Sequence, residues 1–210
     1  MTLSVIVPAH NPHPERLRRT LAGLHGQTLP CAQWEILVVD NASRPPLTCP
    51  DLPNARLVTE SRPGLTHARR CGLGAARGEY VVFVDDDNVL APRYLEEVVQ
   101  LFAAHPRLGA LGGRNLPEFE TPPPVWWQRE YDGLLACRDL GDRALSAVDT
   151  RDPQTGLRVY PAFAPVGAGM ALRRSAAQAW MDDPDAAFLP DRRGGELSSG
   201  GDNDIVLCAL

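Results

Sequence analysis

Four apolar residues, Val81-Val82-Phe83-Val84, run directly into three aspartates, Asp85-Asp86-Asp87, and this junction constrains the fold more than any other part of the chain. β-Branched and aromatic residues with no polar alternation describe a strand buried on both faces, as in parallel sheets covered by helices on each side. Carboxylates placed at the end of such a strand stand at the carboxyl edge of the sheet, where open α/β proteins bind their ligands. Three adjacent aspartates repel one another, and a divalent cation relieves that repulsion. Mg²⁺ or Mn²⁺ suits the cluster, held by one or two carboxylates and by substrate phosphates.

The elements around this strand repeat the pattern. Leu3 to Pro8 reads as a first strand, broken at Pro8-Ala9-His10-Asn11-Pro12. Leu17, Leu21 and Leu24 then fall at i, i+4 and i+7, the spacing of a helix with one apolar face. Trp34 to Asp40 is a second buried strand, ending in an aspartate and the turn Asn41-Ala42-Ser43. Ala55 to Thr59 is a short third strand, and a helix is expected from Thr66, as N-cap, to about Arg77. After the acidic strand, Leu95, Val98, Val99 and Phe102 mark the buried stripe of a helix opened by Pro92. Residues 1–113 therefore read as a nucleotide-binding α/β half. Residues 114–210 are less regular. Leu108 to Gly113 and Ala164 to Arg173 are expected to be strands, the latter passing close to a ligand or backbone at Gly167 and Gly169. A polar, Gly-rich stretch, Asp191 to Gly201, leads into Asp202-Asn203-Asp204 and a last helix.

Composition narrows the partners. With 210 residues, 44% hydrophobic and 22% charged, the chain supports one globular domain with a substantial core. A net charge of −5 with no basic stripe argues against nucleic acid. The five cysteines (Cys31, Cys49, Cys71, Cys137, Cys208) lack CxxC spacing, which favours reduced thiols and a cytoplasmic setting over disulfides or a zinc site. No apolar run approaches the length of a membrane span.

The ordered motifs Val5 to Asn11, Ile36 to Ser43, Gly64 through Ala68-Arg69, Gly78 to Asp87, Gly167-Ala168-Gly169-Met170 and Gly201-Asp202-Asn203-Asp204 resemble the family 2 glycosyltransferases across essentially the whole chain. The resemblance implies a GT-A fold, a mostly parallel, Rossmann-like sheet flanked by helices. It also implies an inverting, metal-dependent transfer of sugar from a nucleoside-diphosphate sugar to a hydroxyl of a glycan or lipid-linked acceptor. By the resemblance, Pro8, Ala9 and Asn11 line a nucleobase pocket, and Asp40 accepts a hydrogen bond from the base, which suits a UDP-sugar and leaves guanosine and thymidine open. Arg69 lies near the nucleotide. Asp85, Asp86 and Asp87 form the DxD element, with Asp85 turned toward the ribose and Asp87 on the metal, Mn²⁺ or Mg²⁺. Asp202 is the general base, and Gly169, Asp204, Trp126 and Trp127 lie on the acceptor side. Gly201 stands where the family motif has a glutamate. The Gln-x-x-Arg-Trp motif of processive relatives is absent. The chain stops a turn or two into its last helix, where family members continue, so a fragment, or a site completed by self-association, is expected.

Plainer readings compete at each position. Asp40 serves equally as a turn-former, Asp85 to Asn88 as a solvated turn and Asp202 as a helix N-cap. Of the adjacent Arg69 and Arg70, one is expected to be an ordinary surface residue. Trp126-Trp127 after three prolines fits local core, an acceptor-stacking lip or a peripheral membrane anchor, and the pattern does not separate these. Two rival functions remain: a nucleotidyltransferase, disfavoured by a turn after the first strand that lacks glycine and lysine, and a non-catalytic binding domain, for which Asp202 would have no use.

Overall fold

The computed structural model describes residues 1–184, 191 and 200–210. Its centre is one six-stranded sheet in the order β3-β2-β1-β4-β6-β5. Strands β1 (Leu3–Ala9), β2 (Trp34–Asn41), β3 (Ala55–Glu60) and β4 (Tyr80–Phe83) are mutually parallel. The short β5 (Ala110–Leu111) and β6 (Ala171–Arg173) complete the sheet, and β6 runs antiparallel to both β4 and β5. Every residue of β1, β2 and β4 is buried, as their unbroken apolar runs predict.

Helices cover both faces. On one, α1 (Pro14–His25) and α3 (Tyr94–Ala104) bring Leu17, Leu21, Leu24, Leu95, Val98 and Phe102 onto Val5, Val7, Ile36 and Val82. On the other, α2 (Leu65–Ala75), α4 (Arg174–Asp182) and α5 (Gly201–Ala209) bring Ala68, Leu73, Trp180, Ile205 and Val206 onto Ile6, Leu37, Val81 and Phe83. Two layers of helix around a sheet buried on both faces make this an α/β fold of the doubly covered kind.

Several boundaries differ from expectation, each for a local reason. Gly64, not Thr66, is the N-cap of α2; Thr66 is buried in the first turn, where its Oγ1 accepts the Asp191 N–H at 3.3 Å. The expected strand from Ala164 is regular only over β6, because the left-handed Gly169 (φ +82°) and its neighbours form a loop. Of Leu108 to Gly113, only Ala110–Leu111 pairs. The Gly-rich stretch before Asp202 falls mostly at residues 192–199, outside the described residues.

The amino edge of the sheet is held by a buried ionic network. Glu35, 3% exposed, accepts Ser4 Oγ–H at 2.8 Å, the Arg77 N–H at 2.8 Å and the Arg56 guanidinium at 2.7 Å. Ser4 Oγ in turn accepts the Gly78 N–H at 2.8 Å. Gly78 opens the acidic-strand motif because β1 crosses so closely that a Cβ there would sit 2.5 Å from the Leu3 carbonyl carbon and the Ser4 nitrogen. Burial alone would raise the Glu35 carboxyl, but the bonds from Arg56, Ser4 and Arg77 outweigh it and hold it below its ordinary 4.5. The folded state therefore favours the ionised form. The stabilisation is complete above the unfolded carboxyl range and is lost as pH falls through the lower folded value. Glu35→Ala is expected to cost about 3 kcal/mol in urea unfolding at pH 7, through three donors left without their acceptor, and the gap to wild type should narrow in acid.

Candidate active site

The carboxyl ends of β1, β2 and β4 lie side by side, with Ala9 opposite Asp40 and Ile6 opposite Phe83. The turns leaving these strands therefore share one edge. Asn11 (φ +48°) and Ala42 (φ +58°) adopt left-handed backbone there. The Asn11 N–H donates to Ser43 Oγ at 3.0 Å, and Asn11 Oδ1 accepts the Arg44 N–H at 2.8 Å, which locks the two turns together. Pro8 and Ala9 are buried beneath them. Asp40, 3% exposed, accepts the Ser43 N–H and the Leu47 N–H, each at 3.0 Å. Burial alone would raise its carboxyl; these bonds outweigh it and hold it below 3.8. Asp40 is thus a turn-holding group in this structure, with each oxygen already accepting one backbone donor.

Val84 is buried and the chain then surfaces: Asp85 and Asp86 are half-buried and Asp87 is exposed. Burial first, then the charges of Asp87 and Asp85, push the Asp86 carboxyl up to about 6. The next residue, Asn88, has a buried Oδ1 with no hydrogen-bond partner. A hard divalent cation fits this set: it takes carboxylate and amide oxygens, and its charge relieves the repulsion that raises Asp86. Asp87 would hold the cation. The oxygens of the three aspartates do not all lie within 4.8 Å of one another, as those of Asp183 and Asp204 with Cys208 do among the described residues, so a bound cation would have to draw them together.

The antiparallel direction of β6 decides what faces the aspartates. Because β6 runs against β4, its approach loop lies at the carboxyl end of β4, where the Phe83 N–H donates to Met170 O (2.9 Å) and the Gly169 N–H to Phe83 O (2.8 Å). Side chains from elsewhere hold this loop: Asn115 Nδ2 donates to Ala168 O at 2.7 Å, Tyr94 Oη–H to Gly169 O and Arg138 to Ala164 O. Burial pushes the Tyr94 phenol up, so it stays a neutral donor. None of these three residues stands out in the sequence, because their partners are remote backbone carbonyls.

Asp202 enters from α5. It does not cap the helix, whose N-cap is Gly200; instead Oδ2 accepts the Gly167 N–H at 2.7 Å and Oδ1 pairs with Arg69. Arg69 and Arg70 are both engaged, contrary to the expectation that one would be a plain surface residue. Arg69 is buried, and Arg70 donates to Trp180 O (3.2 Å) and Met181 O (2.7 Å) at the end of α4. A Cβ on Gly201 would begin 3.0 Å from Asp191 Oδ2, so Asp191 fills the space beside the motif's missing glutamate. Asp204 turns to the opposite side of α5, accepts Trp180 Nε1–H at 2.9 Å and lies near Asp183 and Cys208. Residues two positions apart on a helix are rotated by about 200°, so Asp202 and Asp204 cannot share a face.

Trp126 and Trp127 join Phe119 and Tyr131 in an aromatic cluster on the 114–160 segment. Trp126 is 63% exposed, while Trp127 Nε1–H donates to Asp132 at 3.0 Å and faces a shallow cavity of about 400 Å³ with Leu116, Phe119 and Arg129. Ion pairs from Arg16 to Glu120 (2.8 Å) and Arg19 to Glu118 (2.6 Å) tie this segment to α1.

This fold is that of the GT-A transferases. The sequence matches the profile described as "Glycosyl transferase family 2" over residues 4–179, and the chain belongs to that family. It is 35% identical over 142 residues to the "O-antigen biosynthesis protein RfbC" of Myxococcus xanthus, which covers 59% of this chain and 11% of that protein. It is 26% identical over 176 residues to the "Pre-mycofactocin glycosyltransferase" of Mycobacterium tuberculosis, covering 81% of this chain and 34% of that one. The chain thus spans only part of the relatives it matches. The crystal structure of S. aureus TarS 1–349 superposes with a TM-score of 0.61 at 19% identity, covering 100% of this chain and 55% of that one, a likeness of fold. Among the described residues, no helix is long and apolar enough to cross a membrane.

Proposed function

We propose that this chain is an inverting, metal-dependent glycosyltransferase that moves a sugar from a nucleoside-diphosphate sugar to a hydroxyl of a cell-envelope glycan or lipid-linked glycan. The reading is carried by one observation: the Asp85–Asp87 cluster follows β4 at the carboxyl edge of the sheet, and Asp202 is bonded to the loop that enters β6 at that same edge. The name of RfbC, an O-antigen biosynthesis protein, favours the cell-envelope setting. Residues 1–113 would form the donor half, with Pro8, Ala9, Asn11 and Asp40 around the base and Asp85 and Asp86 by the sugar and ribose. Residues 114–210 would form the acceptor half, with Gly169 in the wall and Trp126 and Trp127 offering flat faces on which a pyranose ring can stack.

Transfer then follows from what these residues can do. The acceptor hydroxyl, hydrogen-bonded to Asp202, gives up its proton to that carboxylate as its oxygen attacks the anomeric carbon. The bond from that carbon to the diphosphate oxygen breaks, its electron pair leaving with the diphosphate, and the configuration inverts. A cation held by Asp87 would neutralise charge on the leaving diphosphate as a Lewis acid. Asp202 is held by Arg69 and the Gly167 N–H, an anchoring that suits a fixed proton acceptor, so attack in one step suits the site.

The test is incubation of the protein with nucleotide-sugars and Mn²⁺ in the presence of candidate acceptors, with the product's anomeric configuration read by NMR. Inverted product supports the reading, and retained configuration overturns the single-displacement mechanism.

A further inference from the structure

We propose that Arg69 is a positioning residue for the Asp202 carboxylate, aiming its free lone pairs at the acceptor hydroxyl, and is not a ligand of the donor phosphates. The assignment rests on the reading above, in which Asp202 is the base. A phosphate ligand must present its N–H groups to the donor, whereas Arg69 is 2% exposed and its guanidinium lies against the Phe83 ring, 5.2 Å from the centroid. Its charge is spent inside the protein, on Asp202 Oδ1.

The second half of the clamp is the Gly167 N–H on Oδ2, at 2.7 Å. Each carboxylate oxygen carries two lone pairs, so one on each remains for an acceptor. The Asp202 side chain is 32% exposed, so the residue is reachable from solvent. Gly167 is dictated by the same geometry. A Cβ there would fall 2.6 Å from both Asp202 oxygens and closer still to Arg69 Nη2, so any side chain would pry the pair apart.

A purely structural account fits less well. Arg69 Nε–H is buried without a partner, a cost that an apolar side chain joining α2 to α5 would not carry. The arrangement also reaches the donor side. Phe83, the platform for Arg69, is the last residue of β4, two residues before Asp85. One rigid side chain therefore registers the base on α5 against the strand that presents the aspartates.

The test is steady-state kinetics, together with calorimetric titration of UDP in Mn²⁺, on wild type, Arg69→Met, Arg69→Lys, Gly167→Ala and Asp202→Asn. A misplaced base predicts a fall in kcat of about 10²-fold in Arg69→Met and Gly167→Ala. The Kd for UDP should stay within about threefold of wild type, and Arg69→Lys should recover part of kcat. A UDP Kd raised about tenfold or more in Arg69→Met with kcat retained would mark a phosphate ligand and overturn the assignment. Wild-type kcat in both Arg69→Met and Gly167→Ala would overturn it as well. If Arg69→Met does not fold, Gly167→Ala carries the test, since it disturbs the clamp with the arginine in place. Loss of turnover in Asp202→Asn alongside active Arg69 and Gly167 variants would reject only this inference. Full turnover in Asp202→Asn would reject the base itself.

Discussion

Asp202→Asn is expected to lower kcat by about 10²–10⁴-fold while nucleotide binding stays near the wild-type level. The amide is nearly isosteric and can still accept the Gly167 N–H through its oxygen, so the loop should hold its shape. It cannot take a proton from the acceptor. Its other end would turn an NH₂ toward the Arg69 guanidinium, leaving a buried cation without its counter-charge and lowering stability by about 3 kcal/mol. The two effects separate by measurement, because kcat per folded molecule reports the base and the unfolding midpoint reports the pair. A variant that loses stability but keeps kcat would identify Asp202 as a structural partner of Arg69 and nothing more.

Asp87→Ala is the second large effect. Several kcal/mol of charge stabilisation on the leaving diphosphate are at stake, so kcat/KM should fall by about 10³-fold, and the dependence on Mn²⁺ should disappear with it. The side chain is exposed and the backbone turn does not rest on it, so the unfolding midpoint without cation should change little or rise, since a like charge beside Asp86 is removed. The same cluster predicts a pH dependence. With its carboxyl pushed up to about 6, Asp86 is protonated below that value when no cation is bound, and a cation must displace the proton. Apparent Mn²⁺ affinity should therefore rise from pH 5 to 7 and level off above. Titration of Mn²⁺ by its paramagnetic effect on water relaxation reads this directly. Affinity flat across the range would mean that Asp86 takes no part in the cluster's charge.

What the sequence makes legible follows the physics of burial. The strands β1, β2 and β4 are readable because residues buried on both faces must be apolar without interruption, and the acidic junction after β4 is readable because nothing else follows such a strand so abruptly. The antiparallel part is not. β5 and β6 have two and three residues, too few for a period to show. The expected strand over Ala164 to Arg173 is regular only from Ala171; before it, Gly169 is left-handed and the loop's carbonyls are served by Asn115, Tyr94 and Arg138, contacts that no local pattern records. Asp202 is visible as a motif, but its pairing with Arg69 joins residues 133 positions apart and changes how the arginine is understood. Asp204, adjacent in the motif, faces Trp180 for the geometric reason that helical neighbours two apart diverge. The motifs name the residues of the candidate site, and remote side chains hold the loop before β6 that meets Asp202.

The most direct test of a metal-dependent donor site is a thermal-shift panel of UDP, GDP, TDP and CMP on the wild-type protein, each with and without Mn²⁺. A ligand present at 100 times its Kd adds about 2.7 kcal/mol of stability, several degrees for a chain of this size. Stabilisation by a nucleoside diphosphate that requires Mn²⁺ is the predicted result, with UDP giving the largest shift. No shift with any nucleotide, with or without the cation, would contradict the assignment of this sheet edge as a nucleotide-sugar site.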